Sequence, residues 1–100
     1  MSDRHRISLA DALVMVQRAR KSPPTMVNGW SIDGSIIREI LAQPGAASLR
    51  VYMASTDEGV ATPVFLAVDK DGKDMPDGVI AEYSFPCPPE CDSASPFSAP

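Results

Sequence analysis

Apolar positions in the first half of the chain recur every three or four residues, and in the second half every two. Leu9, Ala12, Leu13, Val16 and Ala19 fall on one helical face. Ser8-Leu9-Ala10-Asp11 before them has the form of a capping box, with Asp in the usual place of Glu. Arg18, Arg20 and Lys21 sit where cations offset the helix dipole, and Pro23-Pro24 stops the helix, so the spacing predicts a first helix over 8–21. A polar loop over 25–29 leads to Trp30. Ser31 or Asp33 can cap a second helix over 32–43, with Ile36, Ile37, Ile40 and Leu41 as its apolar stripe and Arg38 and Glu39 opposite. Ile32 and Trp30 can close over its start, and Pro44-Gly45 ends it. Isoleucines are mediocre helix formers, so this helix needs tertiary packing.

The period then shortens. Leu49, Val51 and Met53 share one strand face, Asp57-Glu58-Gly59 reads as a turn, and 60–68 alternates with Val60, Thr62, Val64, Leu66 and Val68 on one side. These two stretches predict a hairpin. Pro63 cannot donate to a ladder, so its amide position must face outward or sit at a bulge. Asp69-Lys70-Asp71-Gly72 and Pro76-Asp77-Gly78 are further turns. Residues 79–85 predict a third strand, with Val79, Ala81, Tyr83 and Phe85 on one face and Glu82 and Ser84 on the other. The fold class is therefore α+β: two N-terminal helices packed on one face of a small antiparallel meander of about three strands, with a Pro-rich C-terminal tail. The expected organisation is a basic N-terminal arm over 1–7, one domain over 8–91 and a flexible Ser/Pro tail over 92–100, mobile unless a neighbour receives Phe97. There is no internal repeat. So small a sheet leaves edges open, which favours a homo-oligomer or another protein as partner.

Composition narrows the function classes. One hundred residues with 44% hydrophobic content suit a single globular domain. The longest apolar runs, such as Val64-Phe65-Leu66-Ala67-Val68, fall far short of the ~20 residues that cross a bilayer. No apolar signal core follows the charged residues 1–6, so the expected setting is the bacterial cytoplasm, away from membranes. A net charge of −4 argues against nucleic acid. The charge is uneven: Arg4, Arg6, Arg18, Arg20 and Lys21 outnumber Asp3 and Asp11 at the start, and the remainder is acidic. That polarity suits head-to-tail association or an acidic partner; a solvated helix end explains it more simply.

Candidate chemistry is sparse. Cys87 and Cys91 lie four residues apart on a proline-stiffened segment. Their spacing is within the range of metal sites, but a second ligand pair is missing and His5 is the only histidine. It is one residue too long for a redox C-x-x-C at a helix start. A disulfide is sterically possible and closes a very small loop of little stabilising value; in a reducing cytoplasm both would remain thiols. The simplest alternative is two small apolar residues packed against the sheet, with or without the disulfide. Asp69-x-Asp71-Gly72-x-Asp74 has its glycine too early for a calcium loop and reads better as an Asp-Gly turn. No nucleophile triad, phosphate loop or dinucleotide motif is present, and no cofactor is implied. Glu39, Glu58 and Glu82 fall on separate elements; a deep pocket lined by two or more of them or Asp74 would reopen the case for an enzyme. Trp30 is read first as a core plug. Tyr52, Phe65 and Tyr83 fall on strands and, if their sides coincide, make with Trp30 a candidate interface.

Ile36-Ile37-Arg38-Glu39-Ile40-Leu41-Ala42-Gln43-Pro44-Gly45, then Leu49-Arg50-Val51-Tyr52, then Val68-Asp69-x-Asp71-Gly72-x-Asp74 and finally Pro86-Cys87-Pro88-Pro89-x-Cys91 resemble a group of small uncharacterised bacterial proteins. The resemblance covers about residues 32–92, and only the C-terminal Pro-Cys-Pro-Pro-x-Cys is distinctive. It implies a helix with a Gln-Pro-Gly stop followed by a strand pair, and it carries over no activity. The expected function is a small non-catalytic structural or protein-interaction module that self-associates. The alternative is a thiol-dependent metal-binding or redox-switch protein using Cys87 and Cys91.

Overall fold

The structure, a computed structural model, describes residues 4–20 and 28–98. Lys21, the Pro23-Pro24 stop and part of the expected polar loop lie outside the described residues. The chain divides into two compact units, Met1–Thr25 with Cys91–Pro100, and Met26–Glu90.

The first unit contains helix α1, Leu9–Arg20. Ser8 caps it as its sequence suggests: its Oγ accepts the Asp11 N–H at 3.0 Å, and its carbonyl accepts the Ala12 N–H. Asp11 in the first turn and Arg18 and Arg20 in the last match the helix dipole. The C-terminal segment is built of tight turns, with Asp92 Oδ1 accepting the Ala94 N–H and Ser95 Oγ accepting the Phe97 N–H. The Arg20 guanidinium donates to the Phe97 carbonyl.

The second unit holds the rest: β1 (Gly29–Ser31), α2 (Gly34–Ala42), β2 (Ala46–Ser55), β3 (Ala61–Asp69), β4 (Ile80–Ala81) and β5 (Phe85–Cys87). They form two antiparallel sheets, one of order β2-β3-β4 and a ribbon of β1 and β5. The class is α+β with five strands. The expected packing of a helix on the sheet is met by α2, and α1 belongs to the other unit. Ile40, Ala67 and Ala81 form the buried cluster, and Ile32, Ile36, Ile37, Leu49 and Phe65 pack against it. No residue of α1 is buried. The apolar face of α1 is diluted by alanine, whereas the isoleucines of α2 make a continuous stripe.

Helix α2 begins after Asp33, whose backbone takes the cap position without a side-chain cap hydrogen bond. Its end is held by Gln43. The Gln43 Nε2 donates to the Ile40 carbonyl at 2.8 Å and its Oε1 accepts the Val79 N–H at 2.8 Å, tying the helix terminus to the entry of β4. The hairpin β2–β3 pairs Leu49 with Ala67, Val51 with Phe65 and Met53 with Pro63. Facing residues point to the same side of a sheet, so this set is the face toward α2, and Arg50, Tyr52, Thr62, Leu66 and Val68 occupy the other. Pro63 lies beyond Phe65 and Leu66, the residues that β4 pairs, so its missing donor costs β4 nothing. The central strand β3 is buried on both faces, through Thr62, Pro63, Leu66, Ala67 and Val68.

The expected third strand over 79–85 is two pieces. It breaks because Tyr83 adopts a φ of 63°. This left-handed conformation costs a non-glycine residue of order 1–3 kcal/mol and turns the chain out of the first sheet. Phe85–Cys87 then pairs with Gly29–Ser31, of which Gly29 had read as the end of a loop, Trp30 as a core plug and Ser31 as a possible helix cap.

Candidate functional site

Three features hold residues singled out by the sequence, the first two within the second unit. The first is the outer edge of β2. Among the described residues this ten-residue strand pairs with β3 only. Val51, Tyr52 and Met53 are 49%, 46% and 61% exposed. The cause is a mismatch of lengths: nine helical residues span about 14 Å, and ten strand residues about 33 Å. Helix α2 therefore covers the Leu49 end of the strand face and leaves Val51 and Met53 open.

On the opposite face, Arg50 Nη1 bonds Asp74 Oδ1 at 2.8 Å, and the Tyr52 hydroxyl donates to Asp74 Oδ2. Asp74 faces Val68 across a single bridge, while Arg50 pairs with Leu66. The Arg50–Asp74 link thus spans the central strand, with Leu66 and Val68 beneath it. The neighbouring Tyr52 hydroxyl, and then the Asp74 carboxylate, hold the Arg50 guanidinium above its ordinary pKa. Solvent screens this exposed group, so its value lies in covering the sheet rather than in charge energy. Asp69 is likewise structural. Its Oδ1 accepts the N–H groups of Asp71 and Lys73, and Gly72 supplies the positive φ of 79° that closes the turn. A carboxylate so occupied explains the acidic turn without calcium.

The four aromatic candidates do not form one surface. Tyr52 and Phe65 are on opposite faces because the register pairs Tyr52 with Val64. Phe65 packs against the core cluster. Trp30 is in the β1–β5 ribbon, half-buried, and Tyr83 is 89% exposed.

The second feature is a concavity of ≈ 610 Å³ whose wall includes Trp30, Glu58, Thr62, Glu82, Tyr83 and Ser84. It lies between the β2–β3 turn and the β1–β5 ribbon. Thr62 Oγ1 donates to Glu82 Oε1 at 3.1 Å. Ser84 buries its Oγ without a hydrogen-bond partner. Glu58 and Glu82, 24 residues apart in sequence, both line it, but it is an open concavity and not the deep pocket that would reopen the case for an enzyme. The sequence placed Thr62 and Ser84 on strand faces but gave neither a role in a site; lone hydroxyls carry no pattern.

The third feature is the cysteine pair. Cys87 and Cys91 are disulfide-bonded and neither is free. Sulfurs so bonded are not thiolates and cannot ligate a metal. Among the described residues no group of three His, Cys, Asp or Glu side chains could hold one. Beside the disulfide, the Asn28 N–H donates to the Cys87 carbonyl and the Glu90 N–H to the Pro86 carbonyl at 2.8 Å. A loop this short constrains the unfolded chain by roughly 2 kcal/mol, the low end for a disulfide and in that sense the small contribution expected from the sequence. Cys87→Ser/Cys91→Ser is therefore expected to lower unfolding free energy by roughly that amount in urea. An unchanged midpoint would show that the crosslink contributes nothing.

Among the described residues, no helix is long and apolar enough to cross a membrane. The chain matches no protein-family model, no curated protein and no solved structure. The resemblance to small bacterial proteins therefore rests on the quoted motifs alone.

Proposed function

We propose that the chain is a small non-catalytic interaction module that self-associates through the outer edge of β2. The observation that carries this reading is a ten-residue edge strand with Val51, Tyr52 and Met53 about half exposed or more. Unpaired strand N–H and C=O groups beside exposed apolar side chains favour pairing with another strand. The occupant that fits is a second copy of the same strand, antiparallel about a two-fold axis. With the axis at Val51, Leu49 faces Met53 of the second copy, and Arg50 faces Tyr52 of the second copy. Tyr52 carries Asp74. Each Arg50 thus approaches an acidic group, no like charges meet, and the apolar set continues across the junction.

Sedimentation velocity tests this. The wild-type chain is expected to run as a dimer at about 100 μM, a level at which an interface of micromolar affinity is occupied. Met53→Lys, which puts a cation on the exposed edge, should run as a monomer with unchanged circular dichroism. A wild-type monomer at that concentration sinks the reading, as does a folded Met53→Lys dimer of undiminished affinity. The disulfide supports a second reading, a redox-responsive Cys87–Cys91 pair. Dimerisation and thiol state are measured separately, so one result does not decide the other.

A further inference from the structure

We propose that the concavity between the β2–β3 turn and the β1–β5 ribbon binds a small organic cation: an amine or guanidinium on a short apolar stem. Its volume, ≈ 610 Å³, lies within the usual range of small-molecule sites. Asp57, Glu58 and Glu82 are in its wall, and among the described residues no lysine, arginine or histidine is. A concave wall of one charge sign concentrates the opposite sign within it.

Charge alone would not select an organic ligand. Trp30 is half-buried in the same wall and offers an indole surface, the best of the aromatic partners for a cation and for the methylenes behind it. Thr62 fixes the Glu82 carboxylate through one oxygen. A carboxylate has further acceptor positions, so that bond orients Glu82 without consuming it. Ser84 adds an independent sign of incompleteness: a buried hydroxyl oxygen with no protein partner is what a bound molecule or ordered water satisfies. Tyr83 stands at the rim, 89% exposed and held by a φ of 63°. Backbone strain of this kind persists where the surrounding structure requires the side chain's position. A bare metal ion is a poor alternative, since no trio of ligating side chains converges among the described residues.

Trp30 is the only tryptophan in the chain, so intrinsic fluorescence reports directly on the cavity wall. Agmatine, putrescine and tetramethylammonium are the probes; 1,4-butanediol and succinate are the neutral and anionic controls. The cations should give a saturable change with a dissociation constant between about 10 μM and 1 mM, weakening as salt rises. The controls should give none. Glu82→Gln and Glu58→Gln should each weaken binding about tenfold, with the fold confirmed by circular dichroism. Glu58 is exposed in a turn, so its variant remains informative even if Glu82→Gln disturbs the sheet. Any one of three results overturns the proposal: no saturation by any cation at about 10 mM, an equal response to butanediol, or unchanged affinity in the folded Glu58→Gln variant.

Discussion

Ile40→Ala is expected to destabilise the protein by about 2–5 kcal/mol in urea or thermal unfolding. Among the described residues Ile40 is the one large side chain with no exposed surface. Its companions in the buried cluster are Ala67 and Ala81, each too small to fill the space that a truncated Ile40 would leave. The surrounding isoleucines, Leu49 and Phe65 come from α2, its approach and the facing strands, so Ile40 is where helix and sheet meet. A domain of this size has only about 5–15 kcal/mol to lose, and the variant should be close to unfolding at 37 °C. Ile40→Val, which removes one methylene, should cost about 0.5–1.5 kcal/mol. Leu41→Ala, one position along but 44% exposed, should cost much less than Ile40→Ala. Equal losses at positions 40 and 41 would mean that α2 does not present this stripe to the sheet.

The same contrast explains what was legible in the residues. The stripe of α2, its Pro44-Gly45 stop and the alternation of β3 are strong signals because burial on a fixed face demands them. The face of Thr62, Val64, Leu66 and Val68 was readable for that reason. The break in the last strand was not. Val79, Ala81, Tyr83 and Phe85 alternate without interruption, and a tyrosine gives no hint that it will take a conformation suited to glycine. Strand β1 is three residues long, too short to show any period. In helix α1 Leu9, Leu13 and Val16 repeat as a helix requires, and the helix forms over Leu9–Arg20. The concavity was half legible. Trp30, Glu58 and Glu82 were all noted, but their convergence follows from the hairpin turn and the Tyr83 reversal together, which no local pattern encodes.

Gln43 gives the second large effect. Gln43→Ala is expected to cost about 1–3 kcal/mol, because it strips the partner from the Val79 N–H and leaves that group unsatisfied, while the Ile40 carbonyl keeps the backbone N–H of residue 43. The close approach of the next glycine makes this testable as a pair. A Cβ added at Gly78 would collide with Gln43 Oε1, the atom that accepts from Val79. Gly78→Ala should therefore break the same bridge from the other side, displacing the amide or shifting the turn. In the Gln43→Ala background that collision is gone, and the added alanine should be nearly neutral. The double-mutant cycle should then show a coupling of about 1–2 kcal/mol, with the double variant about as stable as Gln43→Ala alone. Strictly additive losses would mean that Gly78 is needed for its own backbone freedom, and that the amide of Gln43 does not hold the end of α2 to the entry of β4.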